Sequence, residues 1–399
     1  MANPPVVVGC GATRIASERV DATPRDLMVE AVLACMGDAG IETLAAVSHG
    51  ITSYESDHFN LQMTLGAILH DTIGMIPKPN IRIEGGGATG ALALRTAWAY
   101  LQSGLCDSVL VYGCEKNGRG VSSATANQLF ALSADVDWEY MVGGTYTGFY
   151  AAMMQAHMTA YGTTEEQFAH TAVRNRHNAH YNPIAQKPMD ITLDDVMQSR
   201  PIAEPYKLLD CSLLSDGAAC MLLATEEWAK THSTTFDNRP HVYFTATGCA
   251  TDTMRLGDRY PEITNFRAKQ HAARAAYTMA GITNPMKQID VAELYDSYSG
   301  VEVQAVEDLG FVEQGDGGRA IADGMFDLDG ALPVNTSGGL LGRGAPVGAT
   351  GILQALEVVQ QLRGEVDERR QVKNAKCGIT DTHAGIASIS VVNVFERRD

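Results

Sequence analysis

Charged residues are scarce in this chain, and basic residues are the scarcer kind. Among 399 residues only 19% are charged, with 30 lysines and arginines against 47 acidic residues and a formal net charge of −17. Nucleic acids and anionic membrane surfaces bind clustered lysine and arginine, so the composition argues against both as partners. No apolar run approaches the roughly 18 residues that span a bilayer, so we expect no transmembrane helix.

Paired cysteines are also lacking. The eight cysteines form no C-x-x-C pair, and several lie in apolar strand-like or helical runs. This pattern is typical of free buried thiols in a reducing compartment, rather than of disulfides or a zinc cluster. No basic residue precedes Arg14, which is unlike the start of a signal peptide. We therefore expect a cytoplasmic protein.

Strand and helix signals alternate along most of the chain. Short apolar runs predict strands at Val6–Val8, Asn80–Ile83 and Ser108–Tyr112, and a helix is expected between about residues 88 and 103. Alternation with short connections is the signature of an α/β fold. A stretch rich in Met, Tyr and His, about residues 119–201, lacks this alternation of strand and helix signals. We interpret it as an insertion with its own helices.

One internal repeat is present. Gly87-Ala88-Thr89-Gly90 and Gly348-Ala349-Thr350-Gly351 each follow a strand and a glycine-rich turn, and each opens an apolar helix. Four matching residues are weak evidence by themselves. The same order of strand, glycine turn, GATG and helix at two places predicts two related halves.

Together with this repeat, three segments carry a resemblance to a known family: Ser215-Asp216-Gly217-Ala218-Ala219, the run 332–339 and the run 344–351. The chain resembles the thiolase superfamily over essentially its whole length, in the branch that includes the sterol-carrier-protein thiolases. The resemblance implies an α/β fold, a five-layered αβαβα sandwich of two duplicated halves, at residues 1–235 (with the insertion at 119–201) and 236–399. It also implies a homodimer, which the low charge fraction favours.

The departures from the family pattern are informative. Where thiolases carry the nucleophilic cysteine this chain has Gly87, and their Gly-His-Pro motif reads Gly-Ala-Pro around Ala345. The family's His-Asp pair at a strand end is Tyr295-Asp296. The best match to the cysteine of the C-terminal Cys-x-Gly motif is His383. The scaffold is kept, but the residues of acyl transfer are replaced.

A tyrosine in place of the histidine, together with a lost nucleophile, resembles the thiolase-like aldolases that remove steroid side chains. These enzymes cleave a β-hydroxyacyl-CoA by retro-aldol chemistry without an acyl-enzyme, and they work with a zinc-ribbon/OB-fold partner protein. The resemblance implies no covalently bound cofactor, with coenzyme A entering as part of the substrate. The chain departs from these aldolases too, because Ala345 stands where they carry a second functional tyrosine.

Four side chains are candidates for catalysis. Tyr295 is a candidate base or proton relay if its neighbours lower its phenol pKa; otherwise it is a hydrogen-bonded core tyrosine. His383 is expected to titrate in the useful range. Asp296 is expected to orient Tyr295 or a backbone group. Asn335 matches a thiolase residue that positions a catalytic water, with ordinary turn chemistry as the alternative.

Two glycine turns are candidates for binding the CoA ester through backbone N–H groups. The first contains Gly86 and Gly87 before a helix, and the second contains Gly338 and Gly339. His177 and His180 share a helix face but have no evident third ligand, so no metal site is expected.

Two other functions stay open. The chain can be an acyl-CoA acyltransferase that uses another thiol, such as Cys114 or Cys249. It can also be a non-catalytic acyl-CoA-binding subunit of a complex, since three catalytic residues of its relatives are missing.

Overall fold

A computed structural model describes residues 3–60, 62–117 and 122–398, so the start of the predicted insertion at residue 119 lies outside the described residues. Within these ranges the strands are β1 Val6–Ala12, β2 His49–Ser53, β3 Asn80–Ile83, β4 Ser108–Lys116, β5 Pro201–Ala203, β6 Tyr206–Lys207, β7 Asp216–Ala224, β8 His241–Thr251, β9 Val291–Glu293, β10 Cys377–Ala384 and β11 Ile389–Arg398. The α-helices in the same ranges are α1 Pro24–Ala39, α2 Asp57–Asn60, α3 Leu65–Thr72, α4 Thr89–Gln102, α5 Ser123–Ala131, α6 Tyr146–Tyr161, α7 Glu165–Asn178, α8 Leu193–Met197, α9 Glu226–His232, α10 Arg267–Ala280, α11 Pro285–Gln288, α12 Ser299–Asp308, α13 Gly317–Ala322, α14 Gly339–Gly342 and α15 Val347–Arg363.

The two halves have the same strand order. In the first half the neighbours run β3-β2-β4-β7-β1. In the second half they run β9-β10-β11-β8, and Val334 bridges to Ala292 on the outer side of β9. We number the strands of each half in chain order and count the Val334 segment as the third strand of the second half. The spatial order is then third, second, fourth, fifth, first in both halves. The duplication predicted from the repeat is confirmed, whereas the boundary at 235/236 stays a prediction.

Three apolar layers separate the sheets and helices. On β1, Val6 and Val8 pack with α1 on one face, while Val7 packs on the other face with α4 and α15. A third layer lies between the second-half sheet and α10 and α12. The two halves meet where β1 pairs with β8, in one nine-stranded sheet. Alternate strand residues point to opposite faces, so each half of this sheet is covered on both sides. The result is the five-layered αβαβα sandwich of the thiolase fold.

The repeat brings the two central helices into contact. A Cβ added at Gly90 would lie 3.0 Å from the backbone nitrogen of Gly351, and one added at Gly351 would lie 2.3 Å from the nitrogen of Ala91. Side chains there would force the helix backbones apart. The final glycine of each GATG motif is therefore a helix-crossing residue, and the crossing holds the starts of α4 and α15 together.

Helices α5 to α8 lie in the described part of the predicted insertion, residues 122–201, and the β5–β6 hairpin follows at its end. The insertion packs through α7 against α12, α13 and α14, and it forms one wall of the cavity described below. Over the three ranges that the structure describes, no helix combines the length and apolar character needed to cross a membrane.

Candidate active site

A cavity of about 260 Å³ opens where the two halves meet the insertion. Its floor combines the glycine turn before α4, the end of β9, the loop before α15 and the turn after β10. These four elements contribute Gly87, Tyr295, Ala345 and Gly385. Its walls are largely apolar and include Phe130, Ile202, Leu208, Leu213, Leu214, Leu340 and Val347. The fold therefore brings three of the substituted family positions into one cavity.

Gly87 has no room for a side chain. A Cβ built on it would lie 2.4 Å from the hydroxyl oxygen of Tyr295 and 2.6 Å from the backbone oxygen of His383. The Tyr295 hydroxyl thus stands in the space that a side chain at position 87 would fill. The two substitutions therefore depend on each other, because the Tyr295 hydroxyl fits here only when residue 87 has no side chain.

Tyr295 is a neutral phenol. Its side chain is 4% exposed, and its hydroxyl has no hydrogen-bond partner among the described residues. Burial, and then Tyr146, Glu55 and Asp296, raise its pKa well above 10. For Tyr295 to act as a base, the sequence analysis required a lowered phenol pKa. That condition is not met, because the surroundings of the phenol are apolar and acidic. A neutral phenol donates a hydrogen bond or a proton and is a poor base.

His383 lies beside Tyr295, with 4.6 Å between the ring centroids. It is fully buried, and neither ring nitrogen has a partner among the described residues. Burial, with a smaller effect of Lys269, lowers its pKa well below 6.5. The expectation that it titrates in the useful range is wrong for this reason. Gly385 lines the cavity, and His383 faces Gly87 through its carbonyl group.

Asp296 binds backbone groups, as one of our two alternatives states. Its carboxylate accepts hydrogen bonds from the N–H of Leu340 at 2.7 Å, the N–H of Leu341 at 3.2 Å and the Asn175 amide at 2.8 Å. Burial and Glu302 raise its pKa to about 7. Asp296 thereby fixes the start of α14, where Leu340 contributes to the cavity wall.

Asn335 does not face the cavity. Its side-chain oxygen accepts from the N–H of Leu294 at 2.8 Å, and its nitrogen donates to Glu302 at 2.8 Å. Both ends of the amide are therefore used inside the protein. The bond to Leu294 fixes the residue before Tyr295, which gives Asn335 a positioning function within the fold. Its assignment to a catalytic water gains no support from this geometry.

The four candidate binding glycines separate into two groups. Gly87 lines the main cavity, and Gly86, with φ of 54°, lines a neighbouring cavity. Gly338 and Gly339 are buried away from both. A Cβ at Gly338 would lie 2.7 Å from the side chain of Ala179, and one at Gly339 would lie 2.3 Å from the Asp296 carboxylate. Close packing and positive φ therefore require the second pair, and the structure does not place it at a ligand.

Neither thiol that we named for acyl transfer lies in the cavity wall. Cys114 is buried in β4, and Cys249 packs on β8; burial raises the pKa of both. Cys211 does line the cavity. Its thiol contacts the Lys207 carbonyl oxygen at 3.3 Å, and burial and Asp210 raise its pKa to about 12.

Activity is therefore expected to survive iodoacetamide. Because burial and Asp210 raise the pKa of the Cys211 thiol to about 12, the thiol is protonated at pH 7, and the thiolate is the species that reacts. The check is residual turnover after alkylation of the wild type and of Cys211→Ser. Rapid stoichiometric inactivation of the wild type, with protection by an acyl-CoA, would contradict the prediction and favour acyl transfer through Cys211.

Sequence reasoning missed Glu55. It follows β2 by two residues and lines the main cavity together with Gly87 and Tyr295. Burial, and then Glu115 and Glu84, raise its pKa well above the ordinary value of a glutamate. No motif marks this residue, and the only signal in the sequence is an acidic residue just after a strand end.

Two histidines, one at the end of α7 and one in the turn that follows, contact the same carboxylate. His177 and His180 both contact one oxygen of Asp190, at 2.9 and 3.2 Å. Among the described residues no cluster of three or more His, Cys, Asp or Glu side chains is arranged to hold a metal ion.

Comparison with known families and proteins gives consistent matches. The profile "Thiolase, N-terminal domain" matches residues 5–227, and "Thiolase C-terminal domain-like" matches residues 248–397. The chain is 41% identical over 391 residues to a protein named acetyl-CoA acetyltransferase from Methanothermobacter thermautotrophicus, covering 98% of this chain and 99% of that protein. It is 33% identical to sterol carrier protein 2 of Bos taurus, covering 98% and 72%.

A solved structure also matches over nearly the full length. It is described as the "Ltp2-ChsH2(DUF35) aldolase", with a TM-score of 0.83 and 26% identity. The match covers 98% of this chain and 97% of that one.

Proposed function

The chain belongs to the thiolase family, and from this premise we propose that it cleaves a β-hydroxyacyl-CoA by retro-aldol chemistry without forming an acyl-enzyme. The observation that carries the proposal is the steric pairing of Gly87 with Tyr295. The family position of the nucleophile has no side chain, and the space for one is filled by a phenol hydroxyl 2.4 Å from the site of the missing Cβ. The likeness to a structure described as an aldolase supports it.

The reaction needs three groups. A base removes the β-hydroxyl proton, a dipole stabilises the thioester enolate, and an acid protonates its α-carbon. The hydroxyl oxygen becomes a carbonyl, the Cα–Cβ bond breaks, and its electron pair forms the enolate. Tyr295 is suited to the acid because its phenol is neutral and lines the cavity. The helix N-terminus behind Gly87 supplies the dipole, and solvent restores the phenol.

Coenzyme A then acts only as part of the substrate. The apolar walls around Phe130, Leu208 and Val347 suit a hydrophobic acyl chain, as in lipid or steroid side-chain degradation. The aldolase of similar structure is described together with a DUF35 component. We propose by this likeness that the chain works with a zinc-ribbon/OB-fold partner protein.

The test is incubation with a panel of β-hydroxyacyl-CoA and β-ketoacyl-CoA esters, with and without candidate partner proteins and free CoA. Mass spectrometry is expected to find an aldehyde or ketone and a shortened acyl-CoA from a β-hydroxyacyl ester. Cleavage of a β-ketoacyl ester only in the presence of CoA would contradict the proposal. Binding without turnover under every condition would favour a non-catalytic subunit.

Acyl transfer is the second candidate, favoured by the presence of Cys211 in the cavity and by the names of two similar proteins, each called acetyl-CoA acetyltransferase. An acyl adduct on Cys211 after incubation with an acyl-CoA would support it. The raised pKa of this thiol argues against it.

We further propose a homodimer formed at the edge of the first-half sheet. Strand β3 is the edge strand there, and Ile76 and Ile81 near it are 60% and 40% exposed. Unpaired edges with exposed apolar side chains commonly pair with another chain. Sedimentation is expected to give twice the monomer mass of 42.8 kDa. A stable monomer at micromolar concentration would remove this proposal.

A further inference from the structure

Two cavities meet at the proposed reaction centre. The main cavity contains Gly87 and Tyr295, and a second cavity of about 390 Å³ begins on the other side of the same turn, at Gly86. Glu55, Ser133 and Gly385 line both cavities. Of these shared residues, only Glu55 carries a group that ionises.

The Glu55 carboxyl is available to a ligand. One of its oxygens is buried and has no hydrogen-bond partner among the described residues. A buried polar atom without a partner is costly, and such atoms in native proteins call for an explanation such as a bound molecule. At the junction of the two cavities, a substrate hydroxyl is a suitable partner for this oxygen.

The backbone around Glu55 is held in place. Its N–H donates to the Glu115 carboxylate at 2.7 Å, and that carboxylate also accepts from Asn60 at 2.7 Å and from the N–H of Gly348 at 3.1 Å. Arg82 donates to the Glu55 carbonyl oxygen at 3.0 Å. Glu115 therefore ties Glu55 to the start of α15, beside the crossing of the central helices. The side chain is left free while its main chain is fixed.

We propose that Glu55 takes the proton of the substrate β-hydroxyl in the retro-aldol step. This inference rests on the proposed function. The carboxylate oxygen forms a bond to the proton, the O–H pair becomes the second bond of the carbonyl, and the Cα–Cβ pair forms the thioester enolate that Tyr295 protonates. Glu55 then returns its proton to solvent, so protons and electrons balance.

Burial makes Glu55 a stronger base, but only in its ionised form. Tyr146 and Tyr295 are uncharged neighbours, and Glu84 and Glu115 are acidic, so the surroundings favour the protonated carboxyl. A carboxylate in such surroundings binds a proton more strongly than an exposed one and is a stronger base when it ionises. The acid and the base of the reaction then come from different halves of the fold, Glu55 from the first and Tyr295 from the second.

The test is Glu55→Gln, which keeps the size of the side chain and removes its basicity. The assay uses the assembled enzyme, with its partner if one is required, and the β-hydroxyacyl-CoA that the wild type cleaves. We expect kcat to fall about 10²–10⁴-fold, with KM and the melting temperature close to wild type. Glu42→Gln is the matched control, because it makes the same chemical change at an exposed glutamate that lines neither cavity.

A wild type that cleaves the substrate and a folded Glu55→Gln enzyme within threefold of it would overturn the proposal while the retro-aldol function stands. If Glu55→Gln does not fold, Glu55→Asp replaces it. That variant keeps the charge but withdraws the carboxyl by one methylene, and we expect a loss of at least about tenfold in kcat. A wild type that cleaves no β-hydroxyacyl-CoA would overturn both proposals.

Discussion

Replacing Tyr295 with phenylalanine is expected to lower kcat about 10²–10⁴-fold and to leave the melting temperature nearly unchanged. The substitution removes one oxygen that has no hydrogen-bond partner among the described residues, so no internal bond is lost. The ring keeps its packing against His383. What disappears is the neutral donor in the cavity, and with it the proton for the α-carbon of the enolate.

The measurement is kcat and the melting temperature on the same preparations. Tyr112→Phe is the matched control, since the Tyr112 hydroxyl is bonded to His70 and Asn80, both at 2.8 Å, and lies outside the cavity. It is expected to lose about 0.5–1.5 kcal/mol of stability per bond and to keep its kcat. A Tyr295→Phe enzyme with unchanged kcat and a lowered melting temperature would assign Tyr295 to the core alone.

The fold was accessible from the sequence because its strongest signals are local. The GATG motif sits where two helices cross within contact of each other's backbones, so only glycine fits at Gly90 and Gly351. Thr23 and Gly40 likewise bound α1, through a capping box and a left-handed C-cap. The backbone geometry at each of these positions requires a particular residue type, so the residue type alone indicates the local structure.

The ionisation of the site was not accessible in the same way. The sequence supplied Tyr295 and His383 as candidates, but both pKa directions are set by burial and by groups from distant segments. Glu55 and Tyr146 act on Tyr295, and Lys269 acts on His383. Spacing along the chain contains none of these distances. The sequence therefore could not show that the Tyr295 phenol pKa is raised or that the His383 pKa is lowered out of the useful range.

Glu55 shows a second limit. It has no motif, and it becomes significant only because β2 ends beside the turn that carries Gly87. Asn335 and Gly339 show the reverse. Their turn chemistry was visible, but the sequence could not reveal that their polar groups and close contacts point into the protein toward Leu294 and Asp296.

Adding a single methyl group at position 87 is expected to damage both activity and stability. In Gly87→Ala the new Cβ lies 2.4 Å from the Tyr295 hydroxyl and 2.6 Å from the His383 carbonyl oxygen, and the second is backbone at the end of β10. The tyrosine must therefore move. A displacement of about 1 Å in a positioned group costs on the order of 10²-fold in rate, and overpacking costs about 1–3 kcal/mol. Gly87→Cys is expected to show the same losses without gaining thiolysis.

Gly37→Ala is the matched control for this experiment. Gly37 lies on the exposed face of α1, and a Cβ there meets nothing within 4 Å. Alanine at that position is expected to raise stability by about 0.5–1 kcal/mol and leave kcat unchanged. The double variant Gly87→Ala/Tyr295→Phe removes the shortest of the three close contacts of the new Cβ, so its stability loss is expected to be smaller than that of Gly87→Ala, while its kcat stays low. Wild-type kcat in a folded Gly87→Ala enzyme would mean that the placement of Tyr295 against Gly87 does not matter for the reaction, and the retro-aldol proposal would lose the observation that carries it.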